Sequence, residues 1–159
     1  MKISKFVMVA MIGVSALGAG AQAETQSAMA GHGWPNPIDA CFSTSFAQVS
    51  NRCASGSRLL IVPIQVPVSA NYQAFARAAG SGAYYGTTCQ AMSIGPSNSS
   101  FSFSALRSTG PSTVPQTLTL GVIGVPPQGT VHFECQLGQW IDDFNGGASA
   151  SRLINVELR

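Results

Sequence analysis

Hydrophobic and polar residues alternate along much of the chain with a period of two. In the segment SSFSFSAL, Phe101 and Phe103 alternate with serines, and in TVHFECQL the residues Val131, Phe133 and Leu137 share one side. Successive side chains of a β-strand point to opposite faces, so this alternation places one face against a core and the other toward solvent. The pattern therefore predicts β-strands.

Eight segments of this kind are separated by clusters of Gly, Pro, Asn and Ser, the residues that form turns. The predicted strands cover residues 42–46, 58–68, 71–79, 87–94, 99–106, 116–125, 130–137 and 152–159. Short strands at regular spacing indicate a sandwich or a barrel. We predict an all-β domain, an antiparallel β-sandwich of the Ig-like or jelly-roll-like kind, with about eight short strands.

One predicted strand carries prolines. The segment RLLIVPIQVPV is rich in β-branched residues but contains Pro63 and Pro67. Because proline has no N–H to donate to a neighbouring strand, we expect this strand to lie at a sheet edge or to be bulged.

The N-terminus has the three parts of a secretory signal peptide. Lys2 and Lys5 precede an uncharged apolar run over residues 6–21, and Ala21-Gln22-Ala23 fits a small-x-small cleavage site. A membrane anchor is the alternative, but the run is shorter than the roughly 20 residues that a spanning helix needs. We therefore expect a signal peptide at residues 1–23 and a secreted or periplasmic protein with no membrane span after it.

The rest of the chain divides into two parts. Residues 24–40 contain Trp34-Pro35-Asn36-Pro37, and each residue before a proline is disfavoured in a helix, so we predict an extended leader. Residues 41–159 hold all eight predicted strands and suit a single β-sandwich domain.

The cysteines indicate two disulfides. Cys41, Cys53, Cys89 and Cys135 allow three pairings, and an exported chain with an even count is expected to pair them all. We favour Cys41–Cys53, which closes a short loop, and Cys89–Cys135, which would join two predicted strands across the fold. The alternative of a zinc site lacks the close C-x2-C ligand pairs that such sites use.

Charge limits the classes of partner. Both lysines lie in residues 1–23 and are lost with them. Six arginines and six acidic residues remain, so the formal net charge of the remaining chain is zero. Binding to nucleic acid needs a basic surface, so we expect no nucleic-acid partner. Charged residues make up 9% of the chain against roughly 25% in ordinary domains. A surface with little charge repulsion favours self-association or surface attachment.

The order of several segments resembles a group of known proteins. Leu59-Leu60-Ile61-Val62-Pro63 is followed by Thr88-Cys89, then by Gly129 ahead of His132-Phe133-Glu134-Cys135, and by a closing strand Ile154-Asn155-Val156-Glu157-Leu158. This layout resembles small exported bacterial β-sandwich proteins. The resemblance implies a sandwich over residues 41–159 and implies no catalytic residues.

Catalytic groups are scarce in the sequence. A nucleophilic serine needs an activating base, and the chain has two histidines, His32 and His132, with no G-x-S-x-G motif. A Ser-His-Asp site using His132 is the enzymatic alternative, since such triads assemble in space. We expect a non-enzymatic protein without a cofactor, with a small secreted hydrolase as the third candidate.

Two groups of residues suggest metal ligands. His132 and Glu134 lie two apart on a predicted strand and project from one face, but the sequence shows no third ligand. Asp142, Asp143 and Asn145 lie beside two glycines, as in calcium loops, but the EF-hand spacing is absent. We therefore expect an exposed polar strand face and a polar hairpin loop, with no metal site.

Aromatic residues near turns are the candidate ligand contacts. Tyr84 and Tyr85 lie in GSGAYYGTT, and Trp34 and Trp140 flank other loops. Exposed aromatic rings stack on sugar faces and anchor interfaces. We assign Tyr84, Tyr85 and Trp140 as ligand-binding residues. The sequence thus indicates an exported β-sandwich with a binding or surface-structural role toward a protein or a glycan, and a carbohydrate-binding module is the main alternative.

Overall fold

The computed structural model describes residues 23–34, 40–82, 85–98, 100–142 and 148–159, without the side chains of residues 141, 142 and 148. Residues 1–22 of the predicted signal peptide lie outside this part of the chain. The ligand-binding candidate Tyr84 and the calcium candidates Asp143 and Asn145 also lie outside it.

The described chain forms two antiparallel sheets that pack face to face. The first sheet contains β1 (Glu24–Ser27), β3 (Phe42–Ser45), β4 (Gln48–Asn51), β6 (Ala70–Ala79), β10 (Gln116–Val125) and β14 (Arg152–Leu158). Its order is β10-β6-β14-β4-β3, and β1 pairs with the far end of β14. This sheet is one layer of the predicted all-β sandwich.

The second sheet is the other layer. It contains β2 (His32–Trp34), β5 (Arg58–Ile64), β7 (Thr87–Ile94), β8 (Phe101–Phe103), β9 (Arg107–Ser108) and β11 (Thr130–Leu137). Its order is β2-β5-β11-β7-β8, and β9 also pairs with β7. A separate two-stranded ribbon joins β12 (Ile141–Asp142) to β13 (Ala148–Ser149).

Helical structure in the described residues amounts to two short 3-10 turns at Ala28–Ala30 and Pro96–Asn98. None of the helices found there has the length and apolar character that crossing a bilayer requires.

The two sheets hold twelve described strands rather than about eight. The segment 24–34, expected as part of an extended leader, supplies β1 and β2, which pair with β14 and β5. The strand β4 follows β3 after a turn in which Phe46 and Ala47 both have positive φ. The fourth extra strand is β9, and the four extra strands have two to four residues each, too few for a period of two to be recognised.

The proline-containing strand β5 is internal over part of its length. Pro63 pairs in register with His132 of β11 on one side. On the other side, β2 pairs only with Leu59, Leu60 and Ile61, so the chain at Pro63 lies beyond the end of β2. At Pro63, therefore, β5 does not pair with β2, and the N–H that proline lacks is not needed there. The expectation of an edge strand holds only at this position.

A single hydrophobic core fills the space between the sheets. It takes alternate residues of each long strand, such as Val131, Phe133 and Leu137 of β11 and the small Ala74 and Ala76 of β6. The largest fully buried apolar side chains are Tyr72, Phe133, Leu60, Leu120, Ile123, Leu137, Leu153 and Leu158. Each large apolar side chain buried in this way stabilises the fold by about 1.5–3 kcal/mol.

The structure contains both expected disulfides. Cys41–Cys53 closes a loop with a sequence separation of 12, and Cys89–Cys135 has a separation of 46. Cys89 and Cys135 are opposite each other on the neighbouring strands β7 and β11. The second disulfide therefore links adjacent strands of one layer, whereas the sequence suggested a link across the fold.

Candidate functional site

The outer faces of the two sheets differ in chemistry. On the first sheet, a shallow hollow is lined mainly by polar and charged side chains, including Arg77, Thr117 and Glu157. On the second sheet, outward positions carry Leu59, Ile61 and other large apolar residues. A soluble domain rarely leaves such an apolar surface uncovered unless it serves an interaction. The outer face of the second sheet is therefore the candidate site.

Strand register brings four residues into one row across this face. His32 of β2 is opposite Ile61 of β5, Ile61 is opposite Glu134 of β11, and Glu134 is opposite Gln90 of β7. Residues paired in register project from the same face of a sheet. The side chains of the row therefore share one surface although they are far apart in sequence.

A groove of about 520 Å³ runs over this face. Its lining combines four apolar side chains with two imidazoles, a carboxylate and an indole: Leu59, Ile61, Met92, Ile94, His32, His132, Glu134 and Trp34. The Trp34 side chain is 61% exposed, although β2 holds its backbone against β5. The groove thus has a broad aromatic surface at one side and polar groups on its floor.

The floor of the groove is a polar stripe along β11. Glu134 accepts a hydrogen bond from Gln90 Nε2 at 3.0 Å through Oε2, which leaves Oε1 without a partner among the described residues. His132 Nε2 lies 3.3 Å from the Thr130 hydroxyl. Because the stripe keeps unused hydrogen-bonding capacity between apolar walls, it suits a ligand with both polar and apolar surfaces.

The protonation of His132 follows from its surroundings. Partial burial lowers its pKa because the charged imidazolium loses hydration, and the nearby His32 lowers the pKa further. The Glu134 carboxylate raises the pKa, but it does not outweigh the other two effects. His132 is therefore mainly neutral at pH 7, so its ring nitrogens comprise one donor and one acceptor.

Two exposed phenylalanines extend the apolar surface to the sheet edge. Phe101 and Phe103 of β8 are 55% and 57% exposed, and they are opposite Ile94 and Met92 in register. Because β8 is the last strand on this side of the sheet, the two rings stand at the edge opposite Trp34. Aromatic side chains therefore flank the face at both edges.

The two predicted ligand-binding residues that the structure describes, Tyr85 and Trp140, lie outside the groove. Tyr85 lies in the loop before β7, where its carbonyl oxygen accepts a hydrogen bond from Ser81 N at 2.8 Å. Trp140 lies beyond β11 and lines a separate pocket together with Arg52 and Arg152. Neither residue lines the groove, so the described part of the predicted aromatic set does not meet in one site.

Trp34 was named among the aromatic residues near loops, but the sequence did not place it on this face. His32-Gly33-Trp34 does alternate polar, small and aromatic residues, and Gly33 is buried between two exposed neighbours. That short alternation was the available signal, but the two prolines that follow it favoured a leader over a strand. The pairing of β2 with β5 carries Trp34 onto the face that His132 and Glu134 share.

The structure adds one residue to the candidate metal ligands, but the set is still incomplete. His32 lies close enough to His132 to lower the pKa of His132. The sequence did not show that these two histidines are neighbours. Across the described residues, however, no group of three or more His, Cys, Asp or Glu side chains is arranged to hold a metal ion.

No protein-family model and no curated protein matches the sequence. Among solved structures, the chain is similar to one described as "Mannan Binding Module from Man5C in bound conformation". The similarity has a TM-score of 0.42 and 16% sequence identity, and it covers 86% of this chain and 95% of that chain.

Proposed function

We propose that this chain is an exported, non-catalytic binding module that holds a glycan chain on the outer face of its second sheet. The observation that carries the proposal is the groove itself, which is lined by the exposed Trp34 together with the polar Glu134 and His132. This site joins an aromatic surface to hydrogen-bonding groups at fixed positions on rigid strands.

Sugar chemistry matches this combination. A pyranose ring presents C–H groups on its faces and hydroxyl groups around its edge, so it needs an apolar platform and polar partners together. Trp34 provides the platform, and the free oxygen of Glu134 and the neutral His132 ring provide acceptors and a donor. A fully apolar ligand would leave these polar groups desolvated and unpaired, which costs free energy.

The dimensions of the face suit a short chain of sugars. The sheet order β2-β5-β11-β7-β8 places Trp34 and the Phe101–Phe103 pair on strands four steps apart. With neighbouring strands about 4.8 Å apart, this separation is roughly 19 Å. A ligand lying across the strands would contact aromatic rings at both ends and the β11 stripe in the middle.

The proposed export of this chain would place its partner outside the cytoplasm. Cys41–Cys53 and Cys89–Cys135 are the kind of structural disulfides that persist in oxidising compartments. The N-terminal pattern of Lys2, Lys5 and an apolar run fits a signal peptide. We infer a secreted or periplasmic location, where polysaccharides are abundant.

Affinity electrophoresis and calorimetry with a panel of soluble polysaccharides test the proposal. The panel would contain mannan, xylan, mixed-linkage β-glucan and starch. We expect at least one member to bind and Trp34→Ala to weaken that binding about 30-fold, since truncating an aromatic residue that anchors a ligand costs about 2 kcal/mol. Phe46→Ala, which removes a 97% exposed ring from the β3–β4 turn, is the matched control and should bind normally.

Failure of every polysaccharide to bind would overturn glycan recognition, and so would unchanged binding by Trp34→Ala. The second candidate is assembly of identical chains through the same face, which the exposed Phe101 and Phe103 at the sheet edge favour. Sedimentation velocity would then show concentration-dependent association that the double substitution Phe101→Ser and Phe103→Ser abolishes.

A further inference from the structure

A polar pocket of about 280 Å³ lies on the first sheet, apart from the groove. Ser50 of β4 is opposite Arg152 of β14 in register, and both line the pocket. Arg52 follows two residues after Ser50 and lines it as well. The pairing of these two strands therefore brings two guanidinium groups to one concave site.

The positive charge of this pocket is not neutralised within the described structure. Arg152 Nη2 donates to the Thr113 carbonyl oxygen at 3.0 Å, and Arg152 Nε is buried without a hydrogen-bond partner. Among the described side chains, no carboxylate lies within ion-pair distance of Arg52 or Arg152. Two arginines that line one pocket without a counter-ion among the described side chains attract an anion.

Trp140 forms an aromatic wall beside the arginines. Its backbone N–H donates to the Cys53 carbonyl oxygen at 2.9 Å, and Cys53 is fixed by its disulfide to Cys41. The pocket also contains the side chains of Gln48, Ser50 and Ser149. The indole is therefore attached to a cross-linked part of the fold and is ringed by neutral hydrogen-bonding groups.

We propose that this pocket binds a sugar residue that carries a carboxylate, a hexuronate. The guanidinium groups would hold the carboxylate, because arginine matches its two oxygens with paired N–H donors. The Trp140 ring would face the sugar ring, and the amide and hydroxyl side chains would meet its hydroxyl groups. The volume lies below the roughly 300–1,000 Å³ typical of drug-sized ligand sites, which suits one ring rather than a chain.

This second site does not depend on the groove. Its residues lie on β4, β13, β14 and nearby loops, whereas the groove lies on the outer face of the second sheet. The two sites therefore have separate variants. Trp34→Ala should leave hexuronate binding unchanged, and Arg52→Gln should leave polysaccharide binding in the groove unchanged.

An NMR titration of the uniformly ¹⁵N-labelled mature protein with D-glucuronate tests the proposal. The chain has two tryptophans, so the indole N–H spectrum holds one signal for each, and Trp34→Ala identifies the signal of Trp140. We expect glucuronate to shift the Trp140 signal in a saturable way. D-glucose, which has the ring without the carboxylate, and inorganic phosphate, which has charge without a ring, should each bind at least about tenfold more weakly.

Arginine variants distinguish binding in this specific pocket from general attraction between opposite charges. Arg52→Gln removes an exposed side chain and should weaken glucuronate binding about tenfold. Arg77→Gln removes the same charge from an exposed position on β6, outside the pocket, and should have no effect. Equal binding of glucose or of phosphate, equal weakening by Arg77→Gln, or no shift of the Trp140 signal would each overturn the proposal.

Discussion

Asn51 and Leu137 lie on strands of opposite sheets and are joined by a hydrogen bond of 3.2 Å from Asn51 Nδ2 to the Leu137 carbonyl oxygen. The same amide nitrogen lies 3.1 Å from the Gly138 carbonyl oxygen, and Asn51 Oδ1 accepts from Cys53 N at 3.0 Å. Asn51 is fully buried. One polar side chain therefore connects β4, the end of β11 and the loop closed by the first disulfide.

Replacing Asn51 should destabilise the protein strongly. Asn51→Ala leaves the Leu137 and Gly138 carbonyl oxygens and the Cys53 N–H without their partner inside the protein, and each unsatisfied buried group costs about 1–3 kcal/mol. We expect a loss of about 3 kcal/mol or more in the free energy of unfolding, measured by urea denaturation. Asn71→Ala, at an exposed position of β6, is the control. A loss of less than 1 kcal/mol at position 51 would contradict the bridging role.

The two disulfides should differ in their contribution to stability. Restriction of the unfolded chain grows with loop length, which gives about 3 kcal/mol for Cys41–Cys53 and about 4 kcal/mol for Cys89–Cys135 at separations of 12 and 46. We therefore expect the double substitution of Cys89 and Cys135 by alanine to lower the stability more than that of Cys41 and Cys53. Urea denaturation of both double variants measures this, and the reverse order would refute the loop-length argument here.

Gly138 should not tolerate a side chain. A Cβ at this position would lie 2.6 Å from Tyr85 Cβ and 3.0 Å from both the Gly86 carbonyl oxygen and Ser151 Oγ. Because these approaches are shorter than van der Waals contact and none of the three atoms is the far end of a long flexible side chain, we expect Gly138→Ala to cost about 1–3 kcal/mol through overpacking. In Gly124→Ala the added Cβ meets only the Asn71 side-chain oxygen, at 3.2 Å. The free energy of unfolding of this control should lie within about 0.5 kcal/mol of the wild-type value. Equal effects at both positions would be inconsistent with the close packing around Gly138.

The long strands were predictable because their two faces have different environments. The segments 87–94, 116–125 and 130–137 were predicted with the bounds that β7, β10 and β11 have. The strands β7 and β11 alternate buried and less buried residues over eight positions. In β10 the alternation holds up to a bulge at Gly121, after which the buried positions shift by one residue to Ile123 and Val125. The short strand β4 was missed, since its buried residues are Val49 and the polar Asn51. Asn51 is inside because of hydrogen bonds to residues far along the chain, which a local pattern does not reveal.

The site was only partly predictable for a related reason. Alternation along β11 sufficed to place His132 and Glu134 together on the face opposite Phe133. Trp34 joins that face through the register of β2 on β5, which pairs residues 25 to 29 positions apart. A local pattern does not reveal such a pairing. Trp140 was predicted as a ligand contact, which stays a prediction. The arginines that line the same pocket lie just after β4 and on β14, whose pairing the sequence did not show.

The lowered pKa of His132 predicts how stability depends on pH. An unfolded histidine has a pKa of about 6.5, and burial together with His32 lowers the pKa of His132 in the folded state. Between the two pKa values the unfolded chain binds more protons than the folded one, so the free energy of unfolding rises with pH. His132 therefore lowers the stability as the pH falls below about 6.5, and the effect levels off once the folded state is protonated as well.

Urea denaturation between pH 5 and 8 measures this dependence. We expect His132→Gln to flatten the slope below pH 7, because glutamine keeps hydrogen-bonding groups and does not titrate in this range. His32→Gln removes one of the causes of the low pKa and should reduce the slope without abolishing it. Glu134 opposes the shift, so Glu134→Gln should steepen the slope. A slope in His132→Gln as steep as in the wild type would place the dependence on another group.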